Sequence, residues 1–257
     1  DITGSNLIVC HHRNDWEKYR RLYARDASKT FVHIPHMASP EIFSNADVER
    51  NIDILVSGRS TTEHYPLRHR MRRLIGDNAD TRLRGYRVEI MDHPGYRRDD
   101  AHTNAAQRAY AELLNRAQIA VTCSSAYGYR LGKMVEIPLC GAVLCSDLPA
   151  GDRDDLGEAI IEIRMDMSDD EILDRLVYHL ERPEILKRKA ALGQAWAQRF
   201  TPQAYSDELV NCMRAYGTRA ADRKIFVVAD ELGERHPEFR GQKWICDVLK
   251  EEFSQHF

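Results

Sequence analysis

In the run from Ile119 to Asp147 (IAVTCSSAYGYRLGKMVEIPLCGAVLCSD) an apolar strand pattern leads into a Ser/Gly-rich loop, then a helical stretch, then a Gly-led apolar strand. A small-residue loop running into a helix N-terminus offers backbone N–H groups and the positive end of the helix dipole, which together suit a phosphate. Arg130 and Lys133 add cation donors at that end. A helix starting near Arg130 places Lys133, Glu136, Ile137 and Cys140 on one stripe. Glu136 then lies one turn beyond Lys133. A carboxylate there accepts hydrogen bonds from vicinal hydroxyls, as a ribose presents them, while the cation meets a diphosphate. The spacing predicts a site for a nucleotide sugar.

The elements that must position these residues follow from hydropathy rhythm. Short β-branched or apolar runs alternate with segments of helical period, the pattern of parallel strands joined by helical crossovers, so the predicted class is α/β, a doubly wound Rossmann-like sheet. Strands are expected at Asn6–Cys10, Thr30–Ile34, Ile52–Val56, Arg87–Met91, Ile119–Thr122, Ala142–Cys145 and Ala159–Ile163. Ser168 with Glu171 three positions later forms a capping box, and Thr201 before Pro202 pairs an N-cap with a proline at the first helical position. From Ser168 to Tyr216 the chain reads as three helices with no strand, which is how such a domain finishes. After the polar stretch Gly217 to Arg223, Lys224–Ala229 (KIFVVA) is a fresh buried-strand pattern, and Trp244–Phe253 reads as helical. At the other end, Asn6–Cys10, a helix around Asp15–Tyr23 and Thr30–Ile34 look like the last β-α-β of a smaller Rossmann-like domain. Both ends therefore belong either to one small unit or to two neighbours in a longer parent chain.

Bulk properties exclude several classes. The 37 Lys and Arg against 40 Asp and Glu give a formal net charge of -3, so no global basic field draws in nucleic acid or an anionic membrane. The longest apolar runs fall far short of the roughly 20 residues that cross a bilayer. The six cysteines, at 10, 123, 140, 145, 212 and 246, form no C-x-x-C pair and read as reduced structural thiols, which points to the cytoplasm. His33 and His36 have a metal-like spacing, but no cysteine pair accompanies them. No secretory leader pattern opens the chain, which starts at Asp1 rather than Met.

The run GYRLGKMVEIPLCGAVLCSD resembles the donor-binding signature of GT-B glycosyltransferases, in particular the group 1-like branch with spore-maturation-type proteins. Residues 51 to 217 follow that family's C-terminal domain in order, through NIDILVSGRS, YRVEIMDHPGY and YAELLNRAQIAVTCSS to a helical finish. The resemblance divides the chain into residues 1–45, the end of an acceptor-side Rossmann-like domain; 46–217, the nucleotide-sugar donor-binding domain; and 218–257, a strand-helix unit of the acceptor-side or a following domain. It implies that Glu136 binds the ribose and that Lys133 or Arg130 contacts the diphosphate. It places the loop Ser57, Gly58, Arg59 near the donor phosphates and His93 to Tyr96 at the base or sugar pocket. Ser125, Tyr127, Gly128 and Tyr129 complete the expected donor loop. Many retaining members carry a second Glu eight positions before the ribose-binding one, where this chain has Gly128. The implied activity is metal-independent transfer of a sugar from a nucleotide-diphosphate donor to a glycan or other hydroxyl acceptor, with no cofactor. A base for the acceptor hydroxyl would come from the facing domain, where His11, His12, Asp230, Glu234 and His236 are candidates.

Each motif also has a plain reading. Lys133 and Glu136 alone are an ordinary solvated helix pair, and only the surrounding loop and the family order make them a site. Arg59 after Gly58 is equally a turn residue, His93 before Pro94 and Gly95 equally a strand-to-turn junction, and His11 with His12 equally a cleft edge. Asp152-Arg153-Asp154 has the form of the metal-binding Asp-x-Asp of the other large glycosyltransferase fold, but its polar setting reads as a solvated loop. Arg68 to Arg73 (RHRMRR) reads as a solvated helix face rather than a nucleic-acid surface. Two further functions compete: a non-catalytic nucleotide-sugar-binding or scaffold module of a larger polysaccharide-assembly protein, and a dinucleotide-dependent oxidoreductase. No G-x-G-x-x-G follows the strands to support the latter.

Overall fold

The computed structural model describes residues 5–93, 100–149, 151, 156–217 and 225–226. In chain order the elements are β1 (Leu7–Cys10), α1 (Arg13–Leu22), β2 (Thr30–His33), β3 (Ile52–Ser57), α2 (Pro66–Asn78), β4 (Val88–Met91), α3 (Asp100–Arg116), β5 (Ala117–Val121), α4 (Lys133–Leu139), β6 (Val143–Ser146), β7 (Ile161–Glu162), α5 (Asp169–Leu180), α6 (Pro183–Ala197), α7 (Pro202–Gly217) and β8 (Ile225–Phe226). The class is α/β, and each of the seven strands expected from the sequence through Ile163 is present with ends shifted by a residue or two. The expected helix at Trp244–Phe253 and the Asp152-Arg153-Asp154 triplet lie outside the described residues.

The chain divides into two units, with boundaries at His36/Met37 and Thr201/Pro202. The smaller contains a parallel sheet of order β2-β1-β8, in which Leu7 pairs with both Thr30 and Ile225. Strands from near both ends of the chain therefore pair in one parallel sheet. Helix α7, expected to finish the larger domain at 217, is grouped with the smaller unit.

The larger unit is a five-stranded parallel sheet of order β4-β3-β5-β6-β7. Its strands alternate apolar side chains between two cores. Leu55, Ala120 and Leu144 face one core with Tyr110, Leu114, Met134, Ile137 and Trp196. Ile54, Val56, Ile119 and Val121 face the other with Leu67, Met71, Leu74, Ile75, Ile172 and Leu176. Thus α2 covers one face while α3 and α4 cover the other, the two-sided burial that parallel sheets require. The predicted capping box is present: the Ser168 hydroxyl accepts from the Glu171 N–H, and the Glu171 carboxylate accepts from the Ser168 N–H at 2.7 Å. Helices α5, α6 and α7 follow one another without an intervening strand, and α7 begins at Pro202 as its cap signal predicts.

The strand order reverses at β3. From β3 the chain goes through α2 to β4 on one side, then through α3 to β5 on the other, so the helices after β3 and β5 leave on opposite faces. The C-terminal ends of two such strands are the place where open α/β sheets bind ligands.

Candidate functional site

Ser57 and Gly58 close β3 at that end of the sheet. The Ser57 hydroxyl donates to the Tyr110 hydroxyl at 3.2 Å, and the Gly58 N–H donates to the Met91 carbonyl of β4 at 3.2 Å. Gly58 holds φ at +97°, which an L side chain rarely adopts, and a Cβ there would lie 2.9 Å from Lys133 Cε and 3.4 Å from Arg68 Nη1. Only a bare peptide fits between these two cations, one from each face of the sheet.

Arg68 enters from the first turn of α2. It is 2 % exposed, donates from Nη1 to the Arg59 carbonyl at 2.8 Å and from Nη2 to the Thr122 hydroxyl at 2.7 Å, and its guanidinium lies 4.6 Å from the Tyr65 ring centre. Its Nε is buried without a hydrogen-bond partner among the described residues. Both hydrogen-bond acceptors are neutral, so no carboxylate among the described residues pairs with this charge. The sequence reading of Arg68–Arg73 as a solvated face is corrected at Arg68 and Met71, which are buried, while Arg70 pairs with Asp169 at 2.6 Å and Arg72 with Asp92 at 2.8 Å. A signal was there: Arg68 precedes Met71 and Ile75 by three and seven positions, on the buried stripe of its helix.

Lys133 enters from the other face, at the first residue of α4, with Nζ 3.5 Å from the Tyr110 ring centre. Dense surroundings disfavour its charge and bring its pKa down to about 8, with Arg68 adding repulsion and Glu136 opposing it. Burial raises the Glu136 carboxyl, and Lys133 and Arg68 pull it back. His93, at the end of β4, is lowered first by burial and then by Lys133, Arg59 and Arg68. Arg59, Arg68 and Lys133 thus bear on one small region that also holds Glu136. Among the described residues, three cations against one carboxylate leave a local positive excess, suited to a polyanion, on a chain whose net charge is negative.

Two expectations need correction. Helix α4 starts at Lys133 rather than near Arg130, and the N–H groups of Met134, Val135 and Glu136 donate to the carbonyls of Leu131, Gly132 and Gly132. Local turn bonds therefore occupy three of the N–H groups at this helix start, and side chains add the cationic character. Arg130 is buried, with its guanidinium 4.2 Å from the Phe200 ring and 5.4 Å from the Trp196 ring. Its planar face packs on aromatic surface within the core that Trp196 caps, so Lys133 and Arg68 are the pair that meet at Gly58.

The loop after β5 is pinned from below by Asp147, whose carboxylate accepts from the Ser124 N–H at 2.7 Å and the Ser124 hydroxyl at 2.6 Å. Ser125 and Gly128 adopt φ of +64° and +67°, and the Tyr129 N–H returns to the Ser124 carbonyl at 2.6 Å. Tyr127 projects from this turn with 49 % of its surface exposed.

In the smaller unit His11 and His12 are both buried, and both rings meet His36, with centroids 4.9 Å away in each case. His11 Nδ1 lies 3.0 Å from the Ile34 carbonyl, which can only accept, so the ring proton sits on Nδ1. Asp230, Glu234 and His236 lie outside the described residues.

No family model matches the sequence, and no curated protein matches it. Solved structures do. Sucrose-phosphate synthase from Thermosynechococcus elongatus aligns with a TM-score of 0.59 at 13% identity, covering 85% of this chain and 60% of that one. The pneumococcal O-GlcNAc transferase GtfA in complex with UDP and GlcNAc aligns at 0.55 and 14% identity, covering 82% and 45%. HepE of Anabaena in complex with UDP and glucose aligns at 0.57 and 12% identity, covering 82% and 63%. The fold is that of GT-B glycosyltransferases, and this chain spans less than two thirds of the length of the structures it matches.

Proposed function

We propose that the larger unit binds the nucleoside diphosphate of a nucleotide sugar, and that the protein transfers the sugar to a carbohydrate or other hydroxyl acceptor without a metal ion or cofactor. The observation that carries this reading is the meeting of Arg68 and Lys133 over the bare Gly58 peptide at the C-terminal end of β3, with Glu136 beside them. Support comes from the GT-B fold and from solved neighbours whose names include UDP and a sugar. In this reading Glu136 accepts hydrogen bonds from the ribose hydroxyls. Lys133 and Arg68 bind the diphosphate, and His93 and Arg59 border it.

As the bond to the anomeric carbon breaks, negative charge collects on the departing diphosphate. Two cations fixed in advance by Tyr110, Thr122 and the Arg59 carbonyl stabilise that charge without reorganising. Arg130, whose guanidinium packs on Phe200 and Trp196, is not assigned to the donor in this reading. His11 and His12 stay candidates for the base that takes the acceptor's proton. The five described cysteines are all free thiols, which supports a reducing compartment such as the cytoplasm.

A second reading, a nucleotide-sugar-binding scaffold without turnover, draws on Gly128, which supplies no carboxylate where many retaining GT-B enzymes carry one. Calorimetric titration with UDP, GDP, ADP and dTDP, followed by donor hydrolysis and transfer assays with and without EDTA, separates the possibilities. Binding of one diphosphate, lost in Glu136→Gln, together with EDTA-insensitive turnover is the expected result. Binding without turnover across varied acceptors selects the scaffold, and failure to bind any diphosphate overturns both.

A further inference from the structure

Helix α2 carries a second group of basic side chains besides Arg68. His69, Arg72 and Arg73, together with Ser60, Ile90 and Asp92, line a pocket of about 490 Å3 beside β4, the edge strand of the larger sheet among the described residues. That volume lies within the roughly 300–1,000 Å3 of small-molecule sites. Arg68, Lys133, Glu136 and His93 are not among its lining residues, so it is distinct from the Gly58 region.

The lining suits an anion. Arg73 is exposed and makes no hydrogen bond or ion pair among the described residues. His69 Nδ1 lies 3.0 Å from the Ser60 carbonyl, which can only accept, so Nδ1 carries a proton and Nε2 is left for a further contact. Arg72 meets Asp92 at 2.8 Å, but that carboxylate side chain is 86 % exposed. Surface pairs of this kind are weak, whereas a guanidinium holds phosphate through two parallel hydrogen bonds, so a phosphate can take the carboxylate's place. The pocket wall is fixed before a ligand arrives, because Arg68 and His69 hold the neighbouring carbonyls of Arg59 and Ser60.

We infer that this pocket is a second anion site, in which Arg72 and Arg73 grip a phosphate group and His69 Nε2 contacts it. A water's share of liquid is about 30 Å3, so the pocket has room for more than a lone phosphate ion. The Ser60 hydroxyl, the Asp92 carboxylate and the Ile90 side chain offer polar and apolar contacts to the rest of a small phosphate monoester. The inference is independent of the nucleotide-sugar reading, which uses none of these side chains.

The test is amide NMR on the full chain, titrated at constant ionic strength with inorganic phosphate and, separately, with glycerol 3-phosphate. Shifts are expected to centre on Ser60 and on residues 69–73 and 90–92, and to saturate with a Kd of about 1 mM or below. Arg73→Met, at an exposed helical position, is expected to keep wild-type melting and to weaken that Kd about tenfold. Lys133→Met is expected to leave it within about twofold, since Lys133 lies outside the pocket. Tighter binding of glycerol 3-phosphate assigns the site to a monoester, and equal or tighter binding of inorganic phosphate assigns it to the free ion; either sustains the site. Shifts that never saturate, that centre on Gly58 and residues 133–136, or that persist with unchanged Kd in Arg73→Met overturn it.

Discussion

The Cε of Lys133 lies 2.9 Å from the point where a Cβ on Gly58 would stand, although the two residues are on different elements and 75 positions apart in sequence. That contact exists only because Gly58 combines a left-handed φ with no side chain. Gly58→Ala is expected to cost roughly 1–2 kcal/mol from the backbone alone, and to push the ammonium away from the end of β3. Thermal unfolding would show the first effect, and a weakened nucleoside diphosphate affinity in calorimetry the second. A variant with wild-type melting and binding would show that the close approach has no consequence.

Lys133 makes diphosphate affinity depend on pH. Its folded pKa, about 8, lies below the ordinary lysine value of 10.5, so the fold disfavours the charged form that a diphosphate needs. Protonation is complete below pH 7 and is lost as pH rises through 8. Affinity is therefore expected to fall about tenfold between pH 7 and pH 9 as the protonated fraction declines. In Lys133→Met the affinity is lower and this pH step disappears. A wild-type profile flat across that interval would count against Lys133 as the anion contact.

Arg68 and stability are expected to part company. The guanidinium is buried on neutral acceptors with its Nε unsatisfied, an arrangement that costs desolvation and suits a ligand rather than the empty fold. Arg68→Met keeps much of the packing volume and removes the charge. Its melting temperature is expected to match or exceed wild type, while diphosphate affinity drops by about tenfold or more. A large loss of stability with retained affinity would make Arg68 a structural residue.

The Asp147 clamp sets the order of the loop after β5. Asp147→Ala removes the carboxylate that accepts from two Ser124 donors, the backbone N–H and the hydroxyl, and is expected to cost about 1–3 kcal/mol. Hydrogen exchange at residues 124–129 should quicken in that variant, with α2 and β3 unaffected. Uniform quickening across the larger unit would instead indicate global destabilisation.

Much of the framework was legible in the sequence. Strand positions followed from apolar runs such as Ile54–Val56 and Ile119–Val121, because a parallel strand buried on both faces needs apolar residues at successive positions. The start of α5 followed from Ser168 and Glu171, whose mutual capping needs only four consecutive residues. Lys133 and Glu136 were also singled out, since one helical turn separates them. Where local chemistry is complete within a few positions, the sequence states it.

Long-range meetings belong to tertiary structure. Arg68 looked like one arginine among several on a solvated face, and Arg130 looked like a partner for Lys133. The strand order β4-β3-β5 sends α2 and α4 to opposite faces, which brings Arg68 and Lys133 together above Gly58 and buries Arg130 against Phe200 instead. Periodicity along one element tells which residues share a face. Which face meets which is decided by the order in which strands pair, and that order is fixed by packing energies summed over the whole sheet rather than by any single segment.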